Sequence, residues 1–155
     1  MELRNYQVEA RDAILHEWDI GHKKTLLVLP TGCGKTVCFA DVIRKRVKDG
    51  GRVLVLAHRG ELLDQAADKI MQVTGLECAY EKAEQTSFES DSPITVGSVQ
   101  TMFRENRLNR FAPEYYKTIV VDEAHHCLSD TYQRVLNYFS DADVSLSFFD
   151  GTSSR

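Results

Sequence analysis

Thr25-Leu26-Leu27-Val28-Leu29-Pro30-Thr31-Gly32-Cys33-Gly34-Lys35-Thr36 is the stretch that decides the fold of this chain. Five residues from Thr25 to Leu29 form an apolar run that Pro30 ends, as in a strand buried on both faces. A segment with helical spacing follows from Lys35 to Lys48, with Val37, Ala40, Val42, Ile43 and Val47 as its apolar positions. Gly50-Gly51 stops it. Between strand and helix stand two glycines, a lysine and a threonine. Small residues let backbone N–H groups turn inward onto phosphate oxygens, and the positive end of the following helix points at the same place. Thr31, Gly32, Cys33 and Gly34 would form that cradle. Lys35 would neutralise the β/γ-phosphates, and the Thr36 hydroxyl would bind Mg²⁺. The pattern G-x-x-x-x-G-K-[ST] is incomplete, because Leu29 stands at its first glycine.

A second motif completes the first. Ile119-Val120-Val121 leads into Asp122-Glu123-Ala124-His125. Adjacent carboxylates at a strand end point in different directions. One can enter a Mg²⁺ shell while the other faces an attacking water. Asp122 is assigned to the metal and Glu123 to the water as general base. An acidic turn after a strand is the plain alternative. His125-His126-Cys127 has poor spacing for a metal site and no partner cluster.

Around these motifs, β-branched apolar runs alternate with helical segments. Strands are expected over 25–29, 52–57, 76–80, 94–97, 118–121 and 144–149. Helices are expected over 61–73, 99–106 and 130–139, with a polar surface loop over 81–92. That alternation argues for an α/β fold with a mainly parallel sheet and helices on both faces. In such sheets ligands bind outside the carboxyl ends of the strands. Both motifs fall at such ends.

The 155 residues suit one domain. A hydrophobic fraction of 43% and a charged fraction of 27% are ordinary for a globular protein. No apolar run approaches the ~20 residues of a membrane span, so no membrane partner is expected. The N-terminus lacks a signal-peptide core, and the expected location is intracellular, in the cytoplasm. Cys33, Cys38, Cys78 and Cys127 show no paired spacing and are expected as free thiols. A net charge of −4 neither advertises nor excludes a nucleic-acid partner, since strand-tracking proteins use a narrow band of contacts. The basic run Arg44-Lys45-Arg46-Val47-Lys48 and the acid-rich stretch from Glu77 to Asp91 are read as a solvated helix face and a solvated loop.

With both motifs in view, the whole chain resembles the first RecA-like domain of a superfamily 2 helicase or translocase of the DEAH type. Leu29 in place of glycine is common there. The resemblance implies a three-layer RecA-like P-loop domain that binds ATP and Mg²⁺ and acts on a DNA or RNA backbone. Leu3-Arg4-Asn5-Tyr6-Gln7 resembles the Q motif. There Gln7 would read the adenine edge while Arg4 and Tyr6 flank the base. A Gln amide both donates and accepts, so it can pair bidentately with adenine and exclude guanine. The alternative is that Tyr6-Gln7 merely begins an amphipathic helix running to Trp18. Ala57-His58-Arg59 resembles motif Ia, so His58 and Arg59 would grip a strand backbone. Thr95-Val96-Gly97-Ser98-Val99-Gln100-Thr101 resembles the next strand-contacting motif, with Ser98, Gln100 and Thr101 as donors; helix capping is the alternative for each. His125 would couple hydrolysis to movement. The pattern is similar to the restriction-enzyme-motor and duplex-translocase branch.

The family works at a cleft between two RecA-like domains. The second supplies arginine fingers worth about 10³–10⁵ in rate. The chain is expected to be one domain over 1–155 without that second one, which would act in cis in a longer protein or in trans. The segment Gly151-Thr152-Ser153 only loosely echoes the family's motif III. Two further readings stand beside the motor half: a stand-alone ATP- or nucleic-acid-binding module or remnant, and a P-loop kinase. Adjacent Asp122-Glu123 fits water activation better than transfer to an acceptor.

Overall fold

The computed structural model of the chain describes residues 5–21, 24–30, 35–57, 60–82, 86–122 and 129–150. Helix α1 (Asn5–Asp19) opens the chain, followed by β1 (Lys24–Pro30), α2 (Lys35–Lys48), β2 (Val53–Ala57) and α3 (Gly60–Thr74). Strand β3 (Ala79–Glu81), a 3-10 turn (Ser87–Glu89), β4 (Ile94–Ser98) and the short helices α4 (Val99–Met102) and α5 (Glu105–Leu108) come next. Strand β5 (Thr118–Asp122), α6 (Asp130–Tyr138) and β6 (Asp143–Asp150) complete it.

The six strands form one sheet in the order β1-β6-β5-β2-β4-β3. Every neighbouring pair is parallel. Parallel strands must be buried on both faces, and the inner strands obey this: all five residues of β2 are buried. Alternate residues feed opposite cores. Val53, Val55, Ala57 and Val120 pack with Phe39, Ala40 and Ile43 of α2 and Leu63, Ala66 and Ile70 of α3. Leu54, Leu56, Ile119 and Val121 pack instead with Met102, Leu108, Phe111, Tyr132, Val135 and Phe139. The result is a three-layer sandwich, with α1, α2 and α3 on one face and α4, α5 and α6 on the other. Ile14, Trp18 and Val42 form a third, smaller cluster that fastens α1 to α2.

Helix α2 ends in a Schellman arrangement. Gly50 adopts φ 92°, its amide donates to the Val47 carbonyl, and the Gly51 amide reaches back to the Arg46 carbonyl. A residue with a Cβ resists that φ, which is why the glycine pair halts the helix.

Three expectations are corrected. The segment 99–106 is not one helix. It breaks at Arg104, whose φ −64° and ψ 132° are extended. Met102 and Leu108 are six residues apart and would sit on well-separated faces of one continuous helix, whereas the break buries both in the same core. The polar stretch after β3 is not merely a solvated loop. Glu81 is fully buried, and Thr86 and Ser87 donate hydrogen bonds to it. The basic run in α2 is not a wholly solvated face. Arg46 donates from Nη2 to Asp143 at 2.6 Å and from Nε to the Thr118 hydroxyl at 2.9 Å. Its guanidinium also lies 4.9 Å from the centre of the Trp18 ring. One arginine thereby ties α1, α2, β5 and β6 together at the end of the sheet where β5 and β6 begin.

Candidate nucleotide and strand-contact site

Because all pairs are parallel, the carboxyl ends of the strands share one edge of the sandwich. Strand β1 ends at Pro30, and Lys35 and Thr36 are the first two residues of the fourteen-residue helix α2. Thr31, Gly32, Cys33 and Gly34 lie outside the described residues. Asp122 is the last residue of β5. It stands opposite Ser147 of β6, which stands opposite Leu27 of β1. With strands about 4.8 Å apart, the Asp122 and Leu27 backbones are about 10 Å from each other. Pro30 lies three residues, or about 10 Å, further along the strand. The start of α2 is therefore brought to the same end of the sheet as Asp122, across a single intervening strand. A helix N-terminus carrying a lysine and a threonine, with a carboxylate at a nearby strand end, is a donor set suited to a phosphate chain and a hard divalent cation. Glu123 and His125 lie outside the described residues.

Helix α1 reaches the same edge. Arg11 contacts Asp41, Ile14 and Trp18 pack with Val42, and Trp18 meets Arg46. Residue numbers rise together on both helices, so α1 and α2 run in the same direction. Extrapolating one turn back from Arg11 sets the backbone of Gln7 about level with Val37, one turn or less from Lys35 and Thr36. Tyr6 and Gln7 thus belong to the end of α1 that adjoins the start of α2. Arg4 lies outside the described residues.

The ion pair that joins these helices was not legible in the sequence. Arg11 Nη1 donates to Asp41 Oδ2 at 2.7 Å, and Arg44 Nε donates to Asp41 Oδ1 at 2.8 Å. The Asp41 side chain is 5% exposed and that of Arg11 is 16% exposed. Burial alone would raise the Asp41 carboxyl. The hydrogen bonds from Arg11 and Arg44 outweigh it and hold the group below its ordinary value. A lone acid within the apolar run Cys38-Phe39-Ala40-Asp41-Val42-Ile43 was the available signal.

A second buried acid braces the other side of the edge. Glu81 Oε2 accepts from the Ser87 amide at 2.6 Å, the Ser87 hydroxyl at 2.8 Å and the Thr86 hydroxyl at 2.8 Å. Its Oε1 accepts from Arg107 Nη1 at 2.7 Å. Glu81 pairs in register with Gly97, directly before Ser98. A Cβ on Gly97 would stand 3.1 Å from Met102 Cγ and 3.3 Å from Leu54 Cδ1, so a larger residue there would make those two side chains give way.

The strand-contact candidates divide. Ser98 ends β4 and occupies the N-cap position of α4 without a side-chain cap hydrogen bond, and its hydroxyl donates instead to Gln100 Oε1 at 2.9 Å. Gln100 is exposed and Ser98 half-buried, whereas Thr101 is buried. Of the three, Ser98 and Gln100 present surface. His58 and Arg59 lie outside the described residues, immediately after Ala57, which pairs in register with Ser98. The carboxyl end of β2 and the β4–α4 junction thus lie side by side at the edge of the sheet.

The family model of the type III restriction enzyme res subunit matches residues 1–148. The chain belongs to that family. Within it the chain is a helicase-type RecA-like domain, as the motifs imply. It is 33% identical over 145 residues to the "Putative ATP-dependent helicase IRC3" of Saccharomyces cerevisiae, covering 88% of this chain and 21% of that protein. It is 28% identical over 148 residues to the type I restriction enzyme EcoAI endonuclease subunit of Escherichia coli, covering 90% of this chain and 18% of that one. The crystal structure of T4 UvsW superposes with a TM-score of 0.80 at 17% identity, over 99% of this chain and 31% of that one. That likeness supports the RecA-like fold. The chain spans about a fifth of the length of the curated relatives it matches.

Among the described residues, no helix is long and apolar enough to cross a membrane, and no cluster of three His, Cys, Asp or Glu side chains could hold a metal ion. Cys78 is a free thiol, pushed up to about 12 by burial. Cys33, Cys38 and Cys127 carry no described side chain.

Proposed function

We propose that this domain is the ATP-binding half of a nucleic-acid motor, which couples ATP hydrolysis to movement along DNA or RNA once a second RecA-like domain faces it. The observation that carries this reading is the shared edge. Lys35 and Thr36 at the start of α2, Asp122 at the end of β5 and Gln7 near the start of α1 converge there from three separate elements.

In this reading the loop Thr31–Gly34 and the α2 amides bind the β- and γ-phosphates. Lys35 neutralises the charge that develops on the transferred group, and Thr36 and Asp122 hold Mg²⁺. Glu123 accepts the proton of the attacking water. Gln7 selects adenine while Arg4 and Tyr6 hold the base. Ser98 and Gln100, with His58 and Arg59, meet the strand backbone, and backbone contact carries no base sequence. His125 relays the nucleotide state toward the strand site. Arginine fingers come from the partner domain, so the domain alone binds ATP and turns it over slowly. The names of the relatives, a helicase and a restriction-enzyme subunit, agree with this assignment.

Calorimetry and turnover measured on one sample test it. ATP should bind with Mg²⁺ and turn over slowly, and a separately supplied second RecA-like domain should raise turnover. Lys35→Ala should abolish tight binding, and unchanged affinity would sink the phosphate-loop assignment. Glu123→Gln should keep binding and remove hydrolysis; retained turnover would mean a different base. Strong turnover stimulated by nucleic acid in the domain alone would contradict the need for a partner. Transfer of the γ-phosphate to an acceptor other than water would mark a kinase.

A further inference from the structure

The stripe Gln7, Arg11, Ile14, Trp18 follows the spacing i, i+4, i+7, i+11, which is one face of α1. The three lower members all meet α2: Arg11 through Asp41, and Ile14 and Trp18 through Val42. The apolar contacts fix how close the two helices lie. They resist sliding poorly, because apolar contact is non-directional. The Arg11–Asp41 bond does resist it. It joins a partly buried guanidinium to a buried carboxylate at 2.7 Å, and Arg44 donates to the other carboxylate oxygen at 2.8 Å, so Asp41 is held from two sides. The bond lies one helical turn from Gln7. On α2 it lies six residues, or about 9 Å, from Lys35. It is the described cross-link between the two helices nearest the nucleotide edge.

We infer that Arg11 and Asp41 are positioning residues for base selection: their ion pair sets the register of α1 on α2 and thereby the distance from the Gln7 backbone to the start of α2. The inference rests on the reading of Gln7 as the adenine contact and extends it. Neither residue touches the nucleotide. Phosphates bind through α2 and its preceding loop, so they do not depend on α1. The base is read from α1, so it does. Loss of the pair should uncouple the two, leaving phosphate affinity intact and base discrimination degraded. A one-turn hydrogen-bonding element displaced by an ångström loses a bidentate contact, whereas a charge interaction with phosphate falls off slowly.

The test measures dissociation constants of ATP, GTP and inorganic tripolyphosphate, each with Mg²⁺, for the unaltered chain and for Gln7→Ala, Arg11→Met and Asp41→Asn. Methionine keeps the apolar stem of Arg11, and asparagine keeps the volume of Asp41. Thermal unfolding establishes that each variant is folded, and Asp41→Asn serves if Arg11→Met does not fold. The unaltered chain should prefer ATP over GTP by about tenfold or more, the span of one bidentate base contact. Gln7→Ala and Arg11→Met should both lose that preference, with tripolyphosphate binding within about twofold of the unaltered chain. If folded Arg11→Met keeps the preference while Gln7→Ala loses it, the inference is overturned and the Gln7 reading stands. If ATP, GTP and tripolyphosphate weaken together, the pair supports the phosphate end of α2 and the inference is again overturned. If the unaltered chain binds ATP and GTP equally, the Gln7 reading falls and takes the inference with it.

Discussion

Replacing Arg107 by methionine should destabilise the domain by about 3 kcal/mol, the lower end of the loss when one partner of a buried pair is removed. Glu81 has no exposed side-chain surface and Arg107 has 13%, so solvent screens the pair little. The substitution removes the 2.7 Å donor on Oε1. Three donors stay on Oε2 from Thr86 and Ser87, which is why the lower end is expected. Methionine retains the packing of the arginine stem, so the loss reports the charge and its hydrogen bond. Urea unfolding followed by circular dichroism measures it. With a slope of about 2 kcal/mol per molar, the midpoint should fall by about 1.5 M at constant slope. Adding Glu81→Leu to Arg107→Met removes the stranded carboxylate, so the double variant should lose less than the two single losses added together. A loss below about 1 kcal/mol in Arg107→Met would refute the reasoning, because it would mean that water reaches Glu81 and replaces its partner.

The other predictions concern Asp41, Gly97 and Cys78. Asp41 titrates below its unfolded value of about 3.9, so its stabilising contribution is complete above that value and is lost as pH falls through the native one. Urea midpoints measured from pH 7 down to pH 2.5 should therefore fall less steeply in Asp41→Asn than in the unaltered chain. Gly97→Ala should cost about 1 kcal/mol, because the added methyl presses on the flexible Met102 and Leu54 side chains rather than on backbone. A stabilised variant would show that the 3.1 Å approach relaxes freely. Cys78, pushed up to about 12 by burial, should be alkylated at pH 8 about a thousandfold more slowly in native buffer than in urea, read peptide by peptide in the mass spectrometer.

The order of strands and helices was legible because each element carries its own period. The run 25–29 reads as strand from the four adjacent apolar residues Leu26 to Leu29 after β-branched Thr25, and 61–73 reads as helix from Leu62, Leu63, Ala66, Ala67 and Ile70. The break in 99–106 was not legible. Either one helix or two single turns satisfies the local pattern, and only the demand that Met102 and Leu108 share one core selects the break. The 76–80 strand was placed early for a similar reason. Pairing with Thr95, Val96 and Gly97 sets β3 at Ala79–Glu81, and pairing is a property of two segments.

The candidate site divides along the same line. The phosphate loop, Asp122-Glu123 and the Gln7 segment stand out in the sequence because phosphate, metal and base each demand particular residue types at short spacing. By itself the sequence offered those groups as candidates and determined the parallel α/β class and the likeness to a helicase-type domain. The charged residues that brace the domain find partners far apart in the chain: Arg11 with Asp41, Glu81 with Arg107, and Arg46 with Thr118 and Asp143. Apart from Asp41, which stands in an apolar run, each charged residue looks solvated in the sequence, because an arginine or an acid has the same letter whether it faces water or a partner. Only the tertiary structure decided which were buried and paired. Burial makes a lone charge costly enough to demand a specific partner, and the partner exists only once the helices and strands have packed.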